Sequence, residues 1–449
     1  MSKIRARNSA ESALKNAIIR SNDGKHEIDL VSSITELCYF ESLMMDSISV
    51  KLSFVDTGST EKLGGKTIKE VFPLTGTEVV NLKLSQNLND EEEIVLGGEK
   101  EMILYVNDFS PVYEDSRKNL IVMELRPKEY IKSQNMSMAG TFYGLISDNV
   151  EKILKEELKT EKELDIEPTI NTRNFTAYHK KPIILLNWLS KQSVSSEHQT
   201  LGKSAGYFLF ETAEGYKYKS IDGLLNQNNQ QQKKSYIYNN TPDTQVPAGY
   251  DGNVLEFDNT NLINIQQKSK MGTYSNRIVL FDPFNTFYEV KKNKADDENV
   301  KSSGKKLPVF NREFDIDYTR TSYFVLDTGT FPEGDVDEQL EKSKIQNFSY
   351  GEIVNQSFMR YNQFFSSQVS ITIPGDFELH VGDLIFVDAP QLNAEKSDEI
   401  DRQSGGLYII SDLCHYITPK EFRTELTLVR DSFGRKGNHT TSILSLIHI

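Results

Sequence analysis

Apolar and polar residues alternate in several short runs of this chain. Gln368-Val369-Ser370-Ile371-Thr372-Ile373 is the clearest, and its period of two predicts a half-buried strand. Pro374-Gly375-Asp376 then turns the chain. Val381 to Pro390 predicts a second strand, Leu407 to Asp412 a third, and Phe422 to Arg430 a returning fourth. Short β-rich runs ended by Pro, Gly or Asp predict a small antiparallel barrel.

A similar set comes earlier. Ile28 to Val55 reads as a long β-like run, and Gly76 to Leu84 as a further strand. Met102 to Val106 and Leu120 to Leu125 read as a hairpin pair, and Asp90 to Glu93 as a solvated tip. The two sets match in order. Gly76-Thr77-Glu78 and its strand correspond to Gly382-Asp383 and its strand. Met102 to Asp108 matches Gly406 to Asp412, and Leu120 to Arg126 matches Thr424 to Arg430, both at a spacing of 304 residues. The return strand is free to slip by one. Few identities survive, so pattern alone carries the repeat.

Between the sets the period changes. Ile146, Val150, Ile153, Glu157 and Leu158 lie near helical spacing, and Pro182 opens a second helix to Ser193. Tyr207 to Glu211 and Tyr216 to Lys219 flank Ala213-Glu214-Gly215, a hairpin signal. Gln227 to about Asp251 reads as a polar mobile loop, and Lys291 to Lys306 as a charged loop. Arg277 to Phe281, Thr286 to Val290 and Ser322 to Leu326 are strand candidates. Val354, Phe358, Tyr361 and Phe365 share one helix face. Met1 to about His26 is polar and reads as a loose arm or short helix.

Composition narrows the function. The 449 residues suit about three domains. The net charge of −14 disfavours a nucleic-acid grip but would let DNA slide past. Cys38 and Cys414, the only cysteines, exclude a disulfide framework and read as buried free thiols. No apolar run reaches the length of about 18 residues that a membrane span needs, and no apolar signal core opens the chain.

The sharpest catalytic candidate is a pair of tetrads, Asp56-Thr57-Gly58-Ser59 and Asp327-Thr328-Gly329-Thr330, each after an apolar run. They resemble the pepsin-type pattern, in which two carboxylates share a proton and activate water. Turn chemistry at a strand end explains them as well. The second tetrad runs into Phe331-Pro332-Glu333-Gly334-Asp335 with no apolar strand behind it. Gly64-Gly65-Lys66-Thr67 lacks the earlier glycine of a phosphate loop, since Thr60 stands there. The histidines show no metal spacing, His415 reads as structural, and Asp315 and Asp317 read as a solvated edge. No catalytic residue, cofactor or metal site is therefore assigned.

Three stretches carry a family resemblance: Val50 to Asp56 followed by Leu74 to Glu78; Ile183 to Trp188 followed by Gly206 to Ile221; and Pro374-Gly375, Val381-Gly382-Asp383, Gly406 to Ile410 and His415 through Leu428-Val429-Arg430. Their order resembles the central baseplate hub protein of contractile-tailed bacteriophages, to which the first segment of type VI secretion spike proteins is related. The resemblance spans about residues 27 to 432. It implies an α+β, β-rich chain with two small tail-tube-like antiparallel β-barrels plus an inserted α/β domain. The implied division is an arm at 1–26, a first barrel at 27–133, the α/β middle domain at 134–225, a loop-rich β insertion with the start of the second barrel at 226–349, and a helix with the second barrel at 350–432.

The implied function is structural: a homotrimeric virion hub, assembled in the host cytoplasm, that adapts a threefold central spike to a sixfold tail tube. Its implied partners are the spike, the tube or tube-initiator protein and the baseplate wedges, with DNA passing through the lumen. The long polar loops at 226–260 and 291–306 depart from the pattern. Two alternatives stand beside the hub: the protease using Asp56 and Asp327, and a truncated hub–spike fusion lacking a lytic C-terminal part. Leu444 to Ile449 is what a sequencing-adaptor end would encode, so the natural frame is expected to part from this one near Ser442, with 433–449 a tail.

Overall fold

The computed structural model describes residues 14–57, 74–89, 92–98, 101–114, 118–196, 205–225, 232–238, 249–259, 265–283, 287–294, 319–325, 350–389 and 405–431, with single positions 68, 72 and 246. The chain opens with β1 (Leu14–Arg20), β2 (Glu27–Asp29), β3 (Ile34–Ser42) and β4 (Ser49–Asp56). Then come β5 (Val79–Asn89), β6 (Glu92–Val95), β7 (Met102–Glu114) and β8 (Asn119–Arg126). A mixed segment contains α1 (Lys128–Asn135), β9 (Met138–Phe142), α2 (Ile146–Lys152), β10 (Glu163–Ile166), β11 (Phe175–Lys180), α3 (Pro182–Ser190), β12 (Tyr207–Thr212), β13 (Gly215–Ser220) and α4 (Ile221–Leu225). It is followed by β14 (Lys234–Ile237), β15 (Gly252–Asn253), β16 (Glu256–Asp258), α5 (Ile265–Met271), β17 (Ser275–Asp282), β18 (Phe287–Lys294) and β19 (Arg320–Val325). The chain closes with α6 (Tyr350–Phe364), β20 (Ser367–Pro374), β21 (Leu384–Asp388), β22 (Gly406–Ile417) and β23 (Phe422–Arg430).

One 15-stranded sheet joins the two ends of the chain. Its first part runs β3-β4-β8-β7-β5-β1 and its second β16-β20-β23-β22-β21-β14. The alternation read from the sequence places the core. Val50, Leu52 and Phe54 of β4 are buried, as are Val369, Ile371 and Ile373 of β20. A single apolar core runs through both parts.

The pairing repeats in detail. In the first part Tyr105 and Val106 pair with Arg126 and Leu125, and a bulge falls between Val106 and Asp108. In the second, Ile409 and Ile410 pair with Val429 and Leu428, with the bulge between Ile410 and Asp412. The bulged strands keep the spacing of 304 residues, whereas the return strands are spaced by 303. The one-residue slip left open by the sequence is therefore real. A bulge inserts a residue and re-aims the strand, so its recurrence at the same step is stronger than shared strand order.

The turns entering β5 and β21 are also alike. Thr77 N–H donates to Val106 O at 2.8 Å, and Gly382 N–H to Ile410 O at 2.9 Å. Val106 N–H returns to Glu78 O and Ile410 N–H to Asp383 O, both at 3.0 Å. The acid then caps its own turn: Glu78 accepts from Thr75 N–H at 2.6 Å, and Asp383 from His380 N–H at 2.8 Å. Thr77, at φ 70°, thus stands opposite Gly382, at φ 89°.

The mixed segment has its own core, where Ile146, Val150, Ile153, Leu154 and Leu158 meet Leu186, Leu189, Tyr216 and Tyr218. The helix starting at Ile146 widens into a π-helical turn over Ile153–Glu157. Pro182 takes the first turn of α3, where its missing N–H costs nothing. The predicted hairpin is β12–β13, turning at Ala213-Glu214.

Three expectations need correction. The arm carries a strand, β1, held between β2 and β5 because Leu14, Ala17 and Ile19 are buried on one face. The polar stretch after Gln227 contains β14, parallel to β21, where the buried Asp376 accepts from Lys234 Nζ at 2.6 Å and Tyr236 Oη at 2.9 Å. Lys291 to Lys294 belong to β18, paired antiparallel with β17. Cys38 is buried and Cys414 half-buried, and both thiols are free.

Candidate functional site

The most concentrated polar chemistry lies where three segments distant in sequence meet. β3 places Glu41 at this junction, fully buried. Its Oε1 accepts from Tyr39 Oη at 2.7 Å, Ala213 N–H at 2.8 Å and His380 Nδ1 at 3.1 Å. Its Oε2 accepts from Val381 N–H at 3.0 Å. One carboxylate therefore ties β3 to the β12–β13 turn and to the turn before β21. A buried charge is tolerated only when its lone pairs are filled in this way.

Burial by itself would raise the Glu41 carboxyl, but the charge and hydrogen bond of His380 pull it down to about 2. For His380 burial acts downward, and the Glu41 carboxylate outweighs it, so the imidazole is raised above its ordinary value. His415 lies nearby on β22, stacked on Tyr39 at 5.7 Å and bonded through Nδ1 to Thr424 Oγ1 at 2.9 Å. Among the described residues no carboxylate bonds to it, and burial pushes it down to about 3.

A second charged group lies behind the same turn. Lys162 Nζ sits between Glu129, at 3.1 Å, and Glu211. Glu211 also accepts from Ile48 N–H at 3.2 Å, linking β12 to the β3–β4 connection. Burial raises the Glu211 carboxyl, whereas the Lys162 charge overcomes burial at Glu129 and lowers it. On α6, Arg360 grips Asp222 of α4 through two bonds of 2.8 and 2.7 Å, both side chains buried. These groups hold segments together, and their donors and acceptors point at one another.

Asp56, the first protease candidate, ends β4 and is buried, and its Oδ2 accepts from Ile68 N–H at 2.7 Å. That is a strand-end role. Asp327 lies outside the described residues, as do Asp315, Asp317, Gly64-Gly65-Lys66-Thr67 and the tail after Ser442. Among the described residues no group of three or more His, Cys, Asp or Glu side chains is arranged to hold a metal ion. None of those residues forms a helix long and apolar enough to cross a membrane.

Sequence reasoning missed Glu41, His380, Lys162, Glu211 and Arg360. Glu41 follows the buried Leu37 and Tyr39 on one face of β3, and Arg360 sits on the inner face of α6 between Ser357 and Phe364, also buried. Both are charges at core positions, which is the signal that could have found them.

No protein-family model matches the chain. A probable baseplate hub protein, gp334, of Vibrio phage KVP40 is 21% identical over 383 residues, covering 81% of this chain and 84% of that protein. Among solved structures, the 43 kDa tail protein of prophage MuSo2 from Shewanella oneidensis superposes with a TM-score of 0.51 at 12% identity, covering 93% of this chain and 98% of the other. A tail protein from Neisseria meningitidis MC58 gives the same TM-score at 8% identity, with 93% and 96% covered. In sequence and in fold, the chain is similar to the baseplate hub and tail proteins of bacteriophages.

Proposed function

We propose that this chain is a structural virion component, the homotrimeric baseplate hub that adapts a threefold central spike to the sixfold tail tube. The observation that carries the reading is the duplication: same strand order, same bulge and same acid-capped turn in the two parts of the sheet. In this reading residues 27–133, extended by β1, form one small tube-like barrel. Residues 350–432, completed by β14 to β16, form the second, and the segment 134–225 is an inserted α/β domain. Three chains then offer six similar barrels to a tube while keeping threefold symmetry for a spike. A closed ring of this kind needs head-to-tail contacts that close after three copies.

The acidic balance suits a lumen that DNA passes without binding. The charges at the junction then keep the two barrels and the middle domain in fixed register, with no catalytic work assigned to them. Wedge and tube proteins are the remaining proposed partners, met in the tail baseplate.

Light scattering on the purified protein over a range of concentrations tests the reading, alone and with a spike protein. A mass of three chains is expected. A mass of one chain at every concentration, with the spike present, overturns it.

A further inference from the structure

The mixed segment brings a lysine and two carboxylic acids into contact. Lys162 stands just before β10, Glu129 in the first turn of α1 and Glu211 on β12. The two acids are buried, with 4% of the Glu129 side chain and 0% of the Glu211 side chain accessible. Lys162 Nζ touches Glu211 Oε1 and lies 3.1 Å from Glu129 Oε2. It also lies 5.6 Å from the centre of the Tyr216 ring. Tyr216 belongs to β13, the strand that separates β10 from β12 in this sheet. The lysine thus reaches over the middle strand to the far one.

The arrangement holds more than an ion pair needs, because the two acids differ in kind. Burial raises the Glu211 carboxyl and so favours its neutral form. Burial also acts upward at Glu129, but the Lys162 charge overcomes it and favours the carboxylate. Glu211 Oε2 accepts from Ile48 N–H at 3.2 Å, so a backbone donor already faces the oxygen that gains charge if Cδ is attacked. Glu129 Oε1 is fixed by Thr160 Oγ1 at 2.9 Å. A nucleophile, a neutral carboxyl, a proton acceptor and an oxyanion donor therefore share one largely buried site.

We infer that Lys162 and Glu211 join in an amide bond formed by the folded chain itself, with Glu129 as the proton acceptor. Glu129 takes a proton from Lys162, the freed Nζ attacks Cδ of the neutral Glu211, and the C–Oε1 bond breaks as that oxygen leaves as water. Ammonium, carboxylate and neutral acid become an amide, a water and the neutral acid of Glu129, so atoms and charge balance without a co-reactant. Burial acts downward on the Lys162 amine and the two acids outweigh it, so the amine rests charged and the step is slow. The bond ties β10 to β12 across β13, between positions 49 apart in sequence. It is independent of the hub reading.

A second lysine provides the contrast. Lys234 Nζ also meets two acids, Asp376 and Glu378. There Tyr236 Oη and Glu378 N–H donate to Asp376 and hold it as the anion, and Glu378 is 40% accessible. That pair stays ionic.

Mass spectrometry of the full chain, unfolded in denaturant after storage at neutral pH, tests the bond. The wild type is expected to fall short of its sequence mass by one water. Trypsin should then fail to cut after Lys162 and release fragment 160–173 joined to fragment 204–217. Lys162→Arg and Glu129→Gln should each give the full mass. A wild type of full mass, with the two fragments separate, overturns the bond whatever the variants do. A Glu129→Gln chain that still lacks the water overturns the role given to Glu129. A missing water that the fragments place at Lys234, or anywhere other than Lys162 and Glu211, overturns the choice of site.

Discussion

The first and second parts of the large sheet are built alike and finished differently. Both carry the bulge after Val106 or Ile410, and both enter the next strand through a turn capped by its own acid, Glu78 or Asp383. Yet β22 is closed by β3, while among the described residues the same stretch of β7 pairs with β8 alone. The closed seam also contains the junction of Glu41, His380 and the β12–β13 turn. Equivalent backbones have therefore been given different side chains: Leu413, His415 and Ile417 are buried on β22, whereas Asp108, Ser110, Val112 and Tyr113 are exposed on β7. A duplicated unit can keep its hydrogen-bond frame while its two copies take up different contacts.

The largest expected effect comes from breaking the closed side. Glu41→Ala removes one carboxylate and strands the buried His380, Tyr39 Oη and two backbone N–H groups, at a cost of roughly 3–5 kcal/mol in urea unfolding. Val112→Asp on the open side should change the stability of a single chain by less than about 0.5 kcal/mol. Similar losses from both would mean that the β7 edge is already satisfied within the chain.

Next comes the pair at positive φ. Gly382→Thr copies the first turn into the second, but a Cβ there meets the Phe210 ring at 3.0 Å. Strain and crowding should together cost about 1–3 kcal/mol by thermal unfolding. Thr77→Gly makes the opposite exchange and relieves a left-handed threonine, so it should be neutral or stabilising by up to ~1 kcal/mol. If both changes destabilise equally, the two turns are less alike than their hydrogen bonds.

The pH profile separates the two buried histidines. His380 is raised above 6.5, so its contribution is complete below that value and is lost as pH rises through its folded value. His415 is held neutral and pushed down to about 3, so stability is lost as pH falls from 6.5 towards that value. Glu41, lowered to about 2, keeps its contribution above 4.5 and gives it up as pH falls towards 2. Unfolding free energy measured from pH 4 to 9 should therefore peak near 6.5, in the order of magnitude set by these shifts. His380→Gln should flatten the alkaline side and, because His380 also holds the Glu41 carboxyl down, alter the acid side below 4.5. An unchanged alkaline slope in that variant would remove His380 from the account.

The turn caps offer the most direct check of equivalence. Glu78→Gln and Asp383→Asn each weaken a turn cap and should cost about 1 kcal/mol apiece. Amide exchange at Thr75 and His380 reports each loss separately.

Much of the fold was legible because alternation and turn residues are local signals. The strands around Val369, Leu407 and Leu426, the helix from Ile146 and the hairpin at Ala213-Glu214 follow from spacing alone. Position β14 was not legible, since Lys234-Ser235-Tyr236-Ile237 becomes a strand only by lying against β21 and giving Lys234 and Tyr236 to Asp376. β1 was hidden for a related reason: its apolar positions are sparse, and its neighbours β2 and β5 supply the order. The junction was the least legible part. Its members come from residues 41, 213 and 380, and no local pattern links them.

The seam between β3 and β22 also fixes a waiting time. Ser42 Oγ donates to Asp412 Oδ1 across 370 residues of sequence. At a synthesis rate of about 5–20 residues per second, β3 leaves the ribosome roughly 20 to 75 s before its partner exists. For that interval its edge is open to any other strand in the cell. A buried carboxylate near the end of a strand discourages such pairing, because a wrong partner leaves most of its donors missing. Glu41 is that carboxylate, and its donors at Val381 and His380 arrive shortly before β22 itself. A charge that needs donors from Ala213, His380 and Val381 makes a foreign strand a poor substitute at this edge.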